Sequence, residues 1–238
     1  MLETPCHLLY EGKAKKVYTT TNPEHYIVEY KDDATAFNGV KKATLQGKGT
    51  LNNRISNYLM QYLQTQGVAT HLVRELTPAR ALVKRLTMFA LEVIVRNLAA
   101  GSMAKRLGLQ EGSPFEAPVL EFCYKNDALG DPLINEDHAL ALKLASPSEL
   151  QTLRALALRT NTLLQAYLED RGIILVDFKL EFGKDVQGQV VLGDEISPDT
   201  CRFWDAQTRQ KLDKDRFRED LGDVCQAYEI ILEKISHA

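Results

Sequence analysis

Three ionisable side chains alternate with apolar ones in the segment Ile173 to Phe182, which reads I-I-L-V-D-F-K-L-E-F. Side chains on a β-strand point alternately to its two faces, so this pattern predicts one apolar and one ionisable face. The apolar face would hold Ile174, Val176, Phe178, Leu180 and Phe182, and the ionisable face Asp177, Lys179 and Glu181. An acid, a base and an acid in a row are suited to the floor of a polar cleft. The alternative is the solvated outer face of an antiparallel sheet, which is common.

A second β-pattern follows this segment after a short polar stretch that contains glycine, and it ends in Asp194 and Glu195. Two such runs predict a hairpin. With its turn centred on Gln187-Gly188, Glu181 and Asp194 would lie directly opposite each other. Opposed like charges destabilise a sheet, and Mg²⁺ is usually held by one or two carboxylates together with phosphate oxygens. The sequence therefore predicts Glu181 and Asp194 as metal ligands.

The N-terminal segment offers a site for phosphate. Two predicted strands meet at Gly12-Lys13-Ala14-Lys15, where glycine lets the backbone approach a ligand and two lysines can neutralise a polyphosphate. The alternative is a solvated turn. The segment is not a Walker A motif, and Gly47-Lys48-Gly49-Thr50, which also lacks the first glycine of that motif, is interpreted as a loop and a helix start.

Other polar residues could hold anions. Arg96 ends a predicted strand, and Gly101-Ser102 begins a short predicted helix, whose N-terminus attracts negative charge. Arg202 could supply a forked donor to a carboxylate or phosphate. Lys125 follows another predicted strand and could reach nucleotide phosphates. A capping serine, a surface arginine and a plain turn are the alternatives.

Composition excludes several classes of protein. The chain has 238 residues, 45% of them hydrophobic, and a formal net charge of −3, which argues against a general nucleic-acid binder. No apolar run approaches the roughly 20 residues that span a bilayer, and no signal-peptide pattern is present, so we expect a cytoplasmic protein. The four cysteines have no C-x-x-C spacing and are expected to be reduced and mostly buried.

The pattern along the chain predicts two α+β lobes with a cleft between them, residues 1–86 and 87–238. Residues 7–31 are predicted to form three strands, followed by a polar loop over 32–50 and a helix. Ser146-Pro147-Ser148-Glu149 combines an N-cap serine, a proline at the first helical position and a glutamate three residues after the cap, which predicts a long helix. The apolar residues from Phe217 to Ile235 predict one final helix.

Several of these strings in combination resemble one family. They are E-G-K-A-K-K-V-Y, K-D-D-A-T-A-F-N-G, V-R-N-L-A-A-G-S, L-V-D-F-K-L-E-F-G and G-D-E-I-S-P-D-T-C-R-F-W-D. The family is phosphoribosylaminoimidazole-succinocarboxamide synthase (SAICAR synthetase), and the resemblance runs from Leu9 to Ile235. It implies a two-lobed α+β fold related to ATP-grasp enzymes and kinases, with ATP in the cleft. It also implies a ligase of purine biosynthesis that joins carboxylated aminoimidazole ribotide (CAIR) to L-aspartate, giving SAICAR, ADP and phosphate, and it suggests a homodimer.

The resemblance also implies roles for individual residues. ATP would contact Lys13, Ala14, Lys15, Val17, the segment from Lys84 to Met88, and Lys125; Mg²⁺ would be bound by Glu181 and Asp194; CAIR would be held by Arg96, Ser102, Asp177, Lys179 and Arg202. Asp177 and Lys179 are the predicted catalytic residues. The L-aspartate site is less well defined, with Asp33, Asn38 and Asp199 as candidates.

Two alternatives remain open at this point. A small-molecule or protein kinase could use the same cleft, although the H-R-D and D-F-G strings of protein kinases do not occur. A nucleotide-binding sensor without turnover would have little use for so many ionisable groups on one strand.

Overall fold

The computed structural model describes residues 3–36 and 39–236. The strands are β1 (Leu8–Glu11), β2 (Lys15–Thr19), β3 (His25–Tyr30), β4 (Asp33–Ala36), β5 (Lys41–Thr44), β6 (Leu72–Thr77), β7 (Arg80–Lys84), β8 (Thr87–Leu98), β9 (Pro114–Tyr124), β10 (Leu133–Ile134), β11 (Ile173–Lys184), β12 (Val190–Gly193) and β13 (Cys201–Asp205). The helices are α1 (Lys48–Thr65), α2 (Gly101–Leu107), α3 (Glu136–Ala141), α4 (Pro147–Glu169), α5 (Asp215–Arg218) and α6 (Val224–Ser236). No helix in this part of the chain is long and apolar enough to cross a membrane.

Two antiparallel sheets dominate this α+β fold, as the sequence predicts. The first has five strands in the order β1-β2-β3-β7-β6. The second has the order β10-β9-β8-β11-β12, with β13 also paired to β11. The chain passes from one sheet to the other between Lys84 and Thr87, and a bridge from Thr70 to Leu192 links their edges. Buried side chains from both sheets form one continuous apolar core.

The segment before α1 is more ordered than the predicted loop over residues 32–50. It contains the β4–β5 hairpin, in which Asp33 pairs with Thr44. The carboxylate of Asp32 accepts hydrogen bonds from the backbone N–H groups of Gly47 (3.1 Å) and Gly49 (2.9 Å), and so caps α1 from outside. A Cβ on Gly49 would lie 2.6 Å from the carbonyl oxygen of Tyr30, which explains the glycine there.

The long helix α4 begins as predicted. The hydroxyl of Ser146 accepts from the N–H of Glu149 (3.3 Å), and the Glu149 carboxylate accepts from the N–H of Ser146 (2.7 Å). This capping box satisfies two N–H groups that have no partner inside the helix. The helix then buries a leucine stripe in the core beneath β11 and β8, comprising Leu150, Leu153, Leu164 and Leu168.

The prediction of a single C-terminal helix is wrong, because a non-helical segment separates α5 from α6. Asp220, Gly222 and Asp223 have φ values of 57°, 71° and 49°. This left-handed backbone cannot continue a right-handed helix. Leu221, which was predicted to belong to the apolar stripe, lies in the break and is 47% exposed.

The predicted faces of β11 hold for most of the strand but not at its start. The pairing of β11 with β13 is irregular between Leu175 and Asp177. Ile174 and Val176 consequently pack with Trp204 in a small separate cluster, whereas Leu175 and Phe178 lie in the main core. A bulge shifts the alternation in this way because one extra residue in a strand moves its neighbours to the opposite face.

Candidate active site

Strand β8 is the hydrogen-bonded neighbour of β11, and it adds charged side chains to the ionisable face of β11. Asp177 pairs with Arg96 across the two strands, and Glu181 pairs with Glu92. The ammonium of Lys179 lies between the two glutamates, 3.1 Å from Glu92 Oε1 and 2.6 Å from Glu181 Oε1. A lysine therefore offsets the repulsion between directly opposed carboxylates, which would otherwise destabilise the sheet.

The predicted pairing of Glu181 with Asp194 is wrong by one residue. Glu181 lies opposite Gly193, and Asp194 is the first residue after β12, with φ 56°. The turn is therefore centred on Gln187 and not between Gln187 and Gly188. The Asp185 carboxylate fixes this turn, because it accepts hydrogen bonds from the N–H groups of Gln187 (3.0 Å) and Gln189 (2.9 Å). Asp194 still approaches Glu181 through Lys179, whose ammonium lies 3.6 Å from Asp194 Oδ2.

Two further lysines pair with these carboxylates. Lys15 of β2 forms ion pairs with Asp194 and, at 2.9 Å, with the buried Glu195. Lys125, which follows β9, forms an ion pair with Glu181. The lysines of the first sheet and of the second sheet thus meet on one group of carboxylates.

The charges of this cleft reinforce one another. Burial by itself raises the pKa of the Asp194 carboxyl, but the charges of Lys15 and Lys179 outweigh it and hold that pKa well below its usual range. Burial lowers the pKa of Lys179, and the carboxylates of Glu181 and Asp194 more than reverse this effect. For Glu92 burial is the larger effect and raises its pKa, against the charge of Lys179. Asp194 and Lys179 are therefore both ionised at neutral pH.

Glu181 and Asp194 fit a magnesium ion only together with another oxygen donor. In the described part of the chain, no three His, Cys, Asp or Glu side chains are grouped closely enough to hold a metal. Two carboxylates with a shared cation nevertheless suit Mg²⁺, which completes its shell with water and phosphate oxygens. The lysines that now neutralise these carboxylates would then be available to phosphate.

A second group of charges lies at the other end of the β11 face. Asp177 accepts hydrogen bonds from Arg96 (2.8 Å) and Arg202 (2.9 Å), so one buried carboxylate fixes two guanidinium groups. Arg202 also donates to Asp215 at 2.6 Å. Burial by itself lowers the pKa of Arg202. The charges of Asp177 and Asp215 outweigh this effect and raise that pKa above its usual value, so the guanidinium stays charged. A Cβ at Gly101, where φ is 52°, would overlap this guanidinium.

Asp199 lies between these two groups, and three side chains of the described residues contact its carboxylate. Lys48, which is fully buried at the start of α1, lies 2.7 Å away, and the hydroxyl of Tyr228 donates at 2.8 Å. The ammonium of Lys214 is more distant, at 3.4 Å. Burial raises the pKa of Asp199, but Lys214 and Lys48 outweigh it and lower that pKa.

Two adjoining cavities collect most of the predicted site residues. The larger, of about 840 Å³, is lined by Lys13, Ala14, Lys15, Met88, Lys125, Lys179, Glu181, Asp194 and Asp199 among others. The smaller, of about 360 Å³, is lined by Arg96, Ser102, Asp177, Lys179, Asp199 and Arg202 among others. Of the predicted site residues, Lys179 and Asp199 line both cavities, which therefore adjoin each other.

Other predicted site residues lie elsewhere. Val17 packs partly buried against the core, and Lys84 is exposed at the end of β7; neither is among the described residues that line the two cavities. Asp33 forms an ion pair with Lys31 at 2.8 Å and lines a separate cavity. Asn38 lies outside the described residues.

Sequence reasoning missed several residues of this cleft. Glu92 could have been found, because it lies on the same face of its strand as Arg96, four residues earlier. Glu195 was noticed only as the neighbour of Asp194. Lys48 was interpreted as part of a loop, and Lys214 lies in the polar segment K-L-D-K-D-R, where no periodicity distinguishes it.

The fold and the cleft together define a class of protein. Lysines from a Gly-Lys turn meet paired carboxylates in one cavity, and two arginines fixed by an aspartate line the next. Such an arrangement suits a protein that binds a polyphosphate beside a second anionic ligand.

Comparisons with known proteins assign the family. The model of the SAICAR synthetase family matches residues 8–235, so this chain belongs to that family. The phosphoribosylaminoimidazole-succinocarboxamide synthase of Coprothermobacter proteolyticus is 59% identical over 221 residues, which cover 93% of this chain and 94% of that protein. The crystal structure of the synthase from Ehrlichia chaffeensis matches with a TM-score of 0.95 and 45% identity, over 98% of this chain and 99% of that one. A SAICAR synthetase in complex with ADP matches with a TM-score of 0.93 and 51% identity, over 96% of this chain and 97% of that one.

Proposed function

We propose that this protein is an ATP-dependent ligase of de novo purine biosynthesis that joins CAIR and L-aspartate to give SAICAR, ADP and phosphate. The observation that carries this proposal is the junction of the two cavities at Lys179. A phosphate donor in one cavity and a carboxylate acceptor in the other would meet at this ammonium. Family membership and the names of the relatives support the same reaction.

The larger cavity is the proposed ATP site. The ADP complex of a relative supports nucleotide binding, and Lys13, Ala14, Lys15, Met88 and Lys125 line this cavity. Lys13 now pairs with the exposed Asp127 at 2.7 Å, a contact that a phosphate could replace at little cost because both groups are solvated.

Magnesium would be held by Glu181 and Asp194, and it would neutralise phosphate charge when bound. The remaining ATP contacts that we infer are Val17 and the segment from Lys84 to Met88, which would lie against the base. Of these, Met88 lines the larger cavity, whereas Val17 and Lys84 are not among its described lining residues.

The smaller cavity is the proposed CAIR site. Arg96 and Arg202 supply forked donors that match a phosphate, and Ser102 lies at the start of α2, where backbone N–H groups favour an anion. Asp177 holds both arginines in place and is available to orient the substrate. Lys179 would face the CAIR carboxylate and reduce its repulsion of the γ-phosphate.

The chemistry follows from the poor leaving group of a carboxylate. An oxygen of the CAIR carboxylate would attack the γ-phosphorus of ATP, so that ADP leaves and an acyl phosphate forms. The amine of L-aspartate then attacks the acyl carbon, the C–N bond forms, phosphate leaves, and the amine loses a proton. The protein would act mainly by positioning and charge neutralisation, as in other phosphoryl transfers.

We further propose a division of the chain into two lobes, an oligomeric state and a cellular location. The smaller lobe would comprise residues 1–86 and the larger residues 87–238, which agrees with the change of sheet between Lys84 and Thr87. A homodimer and a cytoplasmic location are also inferred. Analytical ultracentrifugation of the purified protein would test the homodimer.

The decisive experiment measures ADP release from purified protein with Mg-ATP and CAIR, with and without L-aspartate. We expect release that depends on L-aspartate, with SAICAR identified by its mass. ADP release that is independent of L-aspartate, together with a stable phosphorylated product, would establish a kinase instead. No release would contradict the proposed reaction.

A further inference from the structure

The two cavities share a small set of lining residues, which we call the junction. It consists of Glu92, Asp131, Lys179, Asp199, Thr200 and Lys214. If the proposed function is correct, the acyl group forms at this junction, so the attacking amine must also reach it. L-Aspartate carries two carboxylates beside that amine, and binding it here requires a cation that is not already neutralised.

The junction has two cations among its described residues, and they differ in their partners. Lys179 has three carboxylates within 4 Å, those of Glu92, Glu181 and Asp194. Lys214 has one ion pair in the described part of the chain, with Asp199 at 3.4 Å. That carboxylate already has closer partners in Lys48 and Tyr228. Lys214 is therefore the junction cation with the weakest compensation.

Burial makes this weak compensation significant. The Lys214 side chain is only 14% exposed, and both burial and the nearby charge of Lys48 lower its pKa, against the charge of Asp199. A buried ammonium without a close counterion gains more from an incoming carboxylate than a solvated one does, because the interaction is less screened by water.

The backbone that carries Lys214 is fixed. Its N–H donates to the carbonyl of Pro198 at 3.0 Å. The preceding Asp213 is fully buried and accepts hydrogen bonds from the N–H groups of Phe203 (2.9 Å) and Asp215 (2.7 Å). Burial is the main cause that raises the pKa of Asp213 to about 8, and the charge of Asp215 is the second cause. Lys214 is thus presented from a hydrogen-bonded segment beside β13, and a backbone held in this way lowers the entropic cost of binding through its side chain.

We propose that Lys214 binds a carboxylate of L-aspartate and is a specificity-determining residue for the amino-acid substrate. In this proposal the ammonium turns from its long contact with Asp199 to the substrate, while Lys48 and Tyr228 continue to hold Asp199. This inference rests on the proposed ligase function and assigns the one substrate for which the sequence offered only Asp33, Asn38 and Asp199.

The test compares Lys214→Met and Lys214→Arg with Lys211→Met. Lys211 precedes Lys214 on the same segment, pairs with Glu219 at 2.7 Å, and is absent from the described lining of both cavities, so it is the matched control. In Lys214→Met we expect the KM for L-aspartate to rise about 10- to 100-fold, the effect of losing one hydrogen bond to a charged group. The KM values for ATP and CAIR should change less than about 3-fold, and Lys214→Arg should recover part of the loss.

A binding measurement separates this proposal from the proposed function. Equilibrium dialysis would use radiolabelled L-aspartate and the full-length protein with Mg²⁺, CAIR and a non-hydrolysable ATP analogue. If the wild type binds L-aspartate, Lys214→Met weakens that binding and no SAICAR is formed, the role of Lys214 is supported and the proposed ligase function is overturned. SAICAR formation with an unchanged KM for L-aspartate in Lys214→Met would overturn the role of Lys214 alone. Absence of both binding and turnover in the wild type would overturn both.

Circular dichroism and CAIR binding identify a variant that has merely lost its fold. If Lys214→Met fails these controls, Lys214→Arg decides the question. Its guanidinium keeps the charge but changes the reach, so we expect a higher KM for L-aspartate than in the wild type with an unchanged KM for CAIR. Equal rises in both KM values would contradict the proposal.

Discussion

Lys179 is the residue on which the charges of the cleft converge. Its ammonium contacts Glu92, Glu181 and Asp194, and it lines both cavities. Without it, three carboxylates would repel one another and also repel the phosphates of a nucleotide. The same cation that stabilises the folded cleft is therefore in place to offset charge during phosphoryl transfer.

Replacing Lys179 by Met should lower kcat by about 100-fold or more, since removal of one preorganised cationic donor has effects of this size. Steady-state kinetics with each substrate varied would measure it, and circular dichroism would check the fold. If only the KM for ATP rose and kcat were retained, Lys179 would have to be removed from the proposed CAIR site.

The metal assignment makes a separate prediction. Glu181→Ala and Asp194→Ala should each remove most of the Mg-dependent turnover, because each deletes one of two proposed carboxylate ligands. ADP release measured across a Mg²⁺ titration would show the loss, with circular dichroism to confirm an intact fold. Near-normal activity in both variants would exclude these residues as ligands.

Among the secondary-structure elements, the two strands β8 and β11 position the charges at the centre of the site, Glu92, Arg96, Asp177, Lys179 and Glu181. Their pairing places Arg96 beside Asp177 and Glu92 beside Glu181, so each cavity receives side chains from both strands. The long helix α4 packs beneath this pair and supports it. Helix capping at α4 is therefore relevant to the precision of the site as well as to stability.

Glu149→Gln should reduce the free energy of unfolding by about 0.5 kcal/mol at pH 7, because glutamine can still accept the hydrogen bond from Ser146 but lacks the charge that pairs with Lys184 and favours the helix N-terminus. Ion pairing with Lys184 and hydrogen bonding from Ser146 lower the pKa of Glu149 to about 2 in the folded protein, compared with its ordinary value of 4.5. The carboxylate consequently stabilises the fold above about pH 4.5, and this stabilisation is lost as the pH falls toward 2.

Urea unfolding of the wild type and Glu149→Gln at pH 7, 4 and 3 would measure this dependence. We expect the difference between them to shrink as the pH falls. Glu136→Gln is a suitable comparison, because among the described residues its half-exposed carboxylate has a single ion pair, with Arg154 at 3.4 Å. A difference for Glu149→Gln that stays constant with pH would contradict the capping role of the charge.

The elements also show where sequence reasoning succeeds and where it fails. Local signals sufficed for α4, whose cap and leucine stripe lie in consecutive residues. The β11–β12 hairpin was predicted, but its register was not, because the side chain of Asp185 sets the turn. The bulge near Val176 depends on the pairing with β13, and Trp204 of that strand lies 28 residues further along the chain.

At the scale of the whole molecule, the two sheets share one core and one cleft. The positions of Lys15, Asp177, Lys179, Glu181 and Asp194 in the cleft were predicted from the sequence, because strand alternation and a Gly-Lys turn are local patterns. The partners of Asp199 were not predictable. Lys48, Lys214 and Tyr228 are distant in sequence and meet only after α1, α5 and α6 have packed.

Lys48 provides the buried link between the N-terminal and C-terminal parts of the chain. It is fully buried, lies 2.7 Å from Asp199, and donates to the carbonyl of Asp33 at 3.2 Å. It thereby connects α1 and the β4–β5 hairpin to the segment between β12 and β13. Its removal would leave the buried Asp199 carboxylate with Tyr228 and the distant Lys214 as partners.

Lys48→Met should therefore lower the free energy of unfolding by about 3 kcal/mol, because removing one partner of a buried ion pair leaves an uncompensated charge. Adding Asp199→Asn removes that charge, so the double variant should be more stable than the sum of the two single changes implies. A double-mutant cycle by urea unfolding measures this coupling. Strictly additive effects would mean that Lys48 stabilises the fold through its packing alone, and that the ion pair does not hold the two parts of the molecule together.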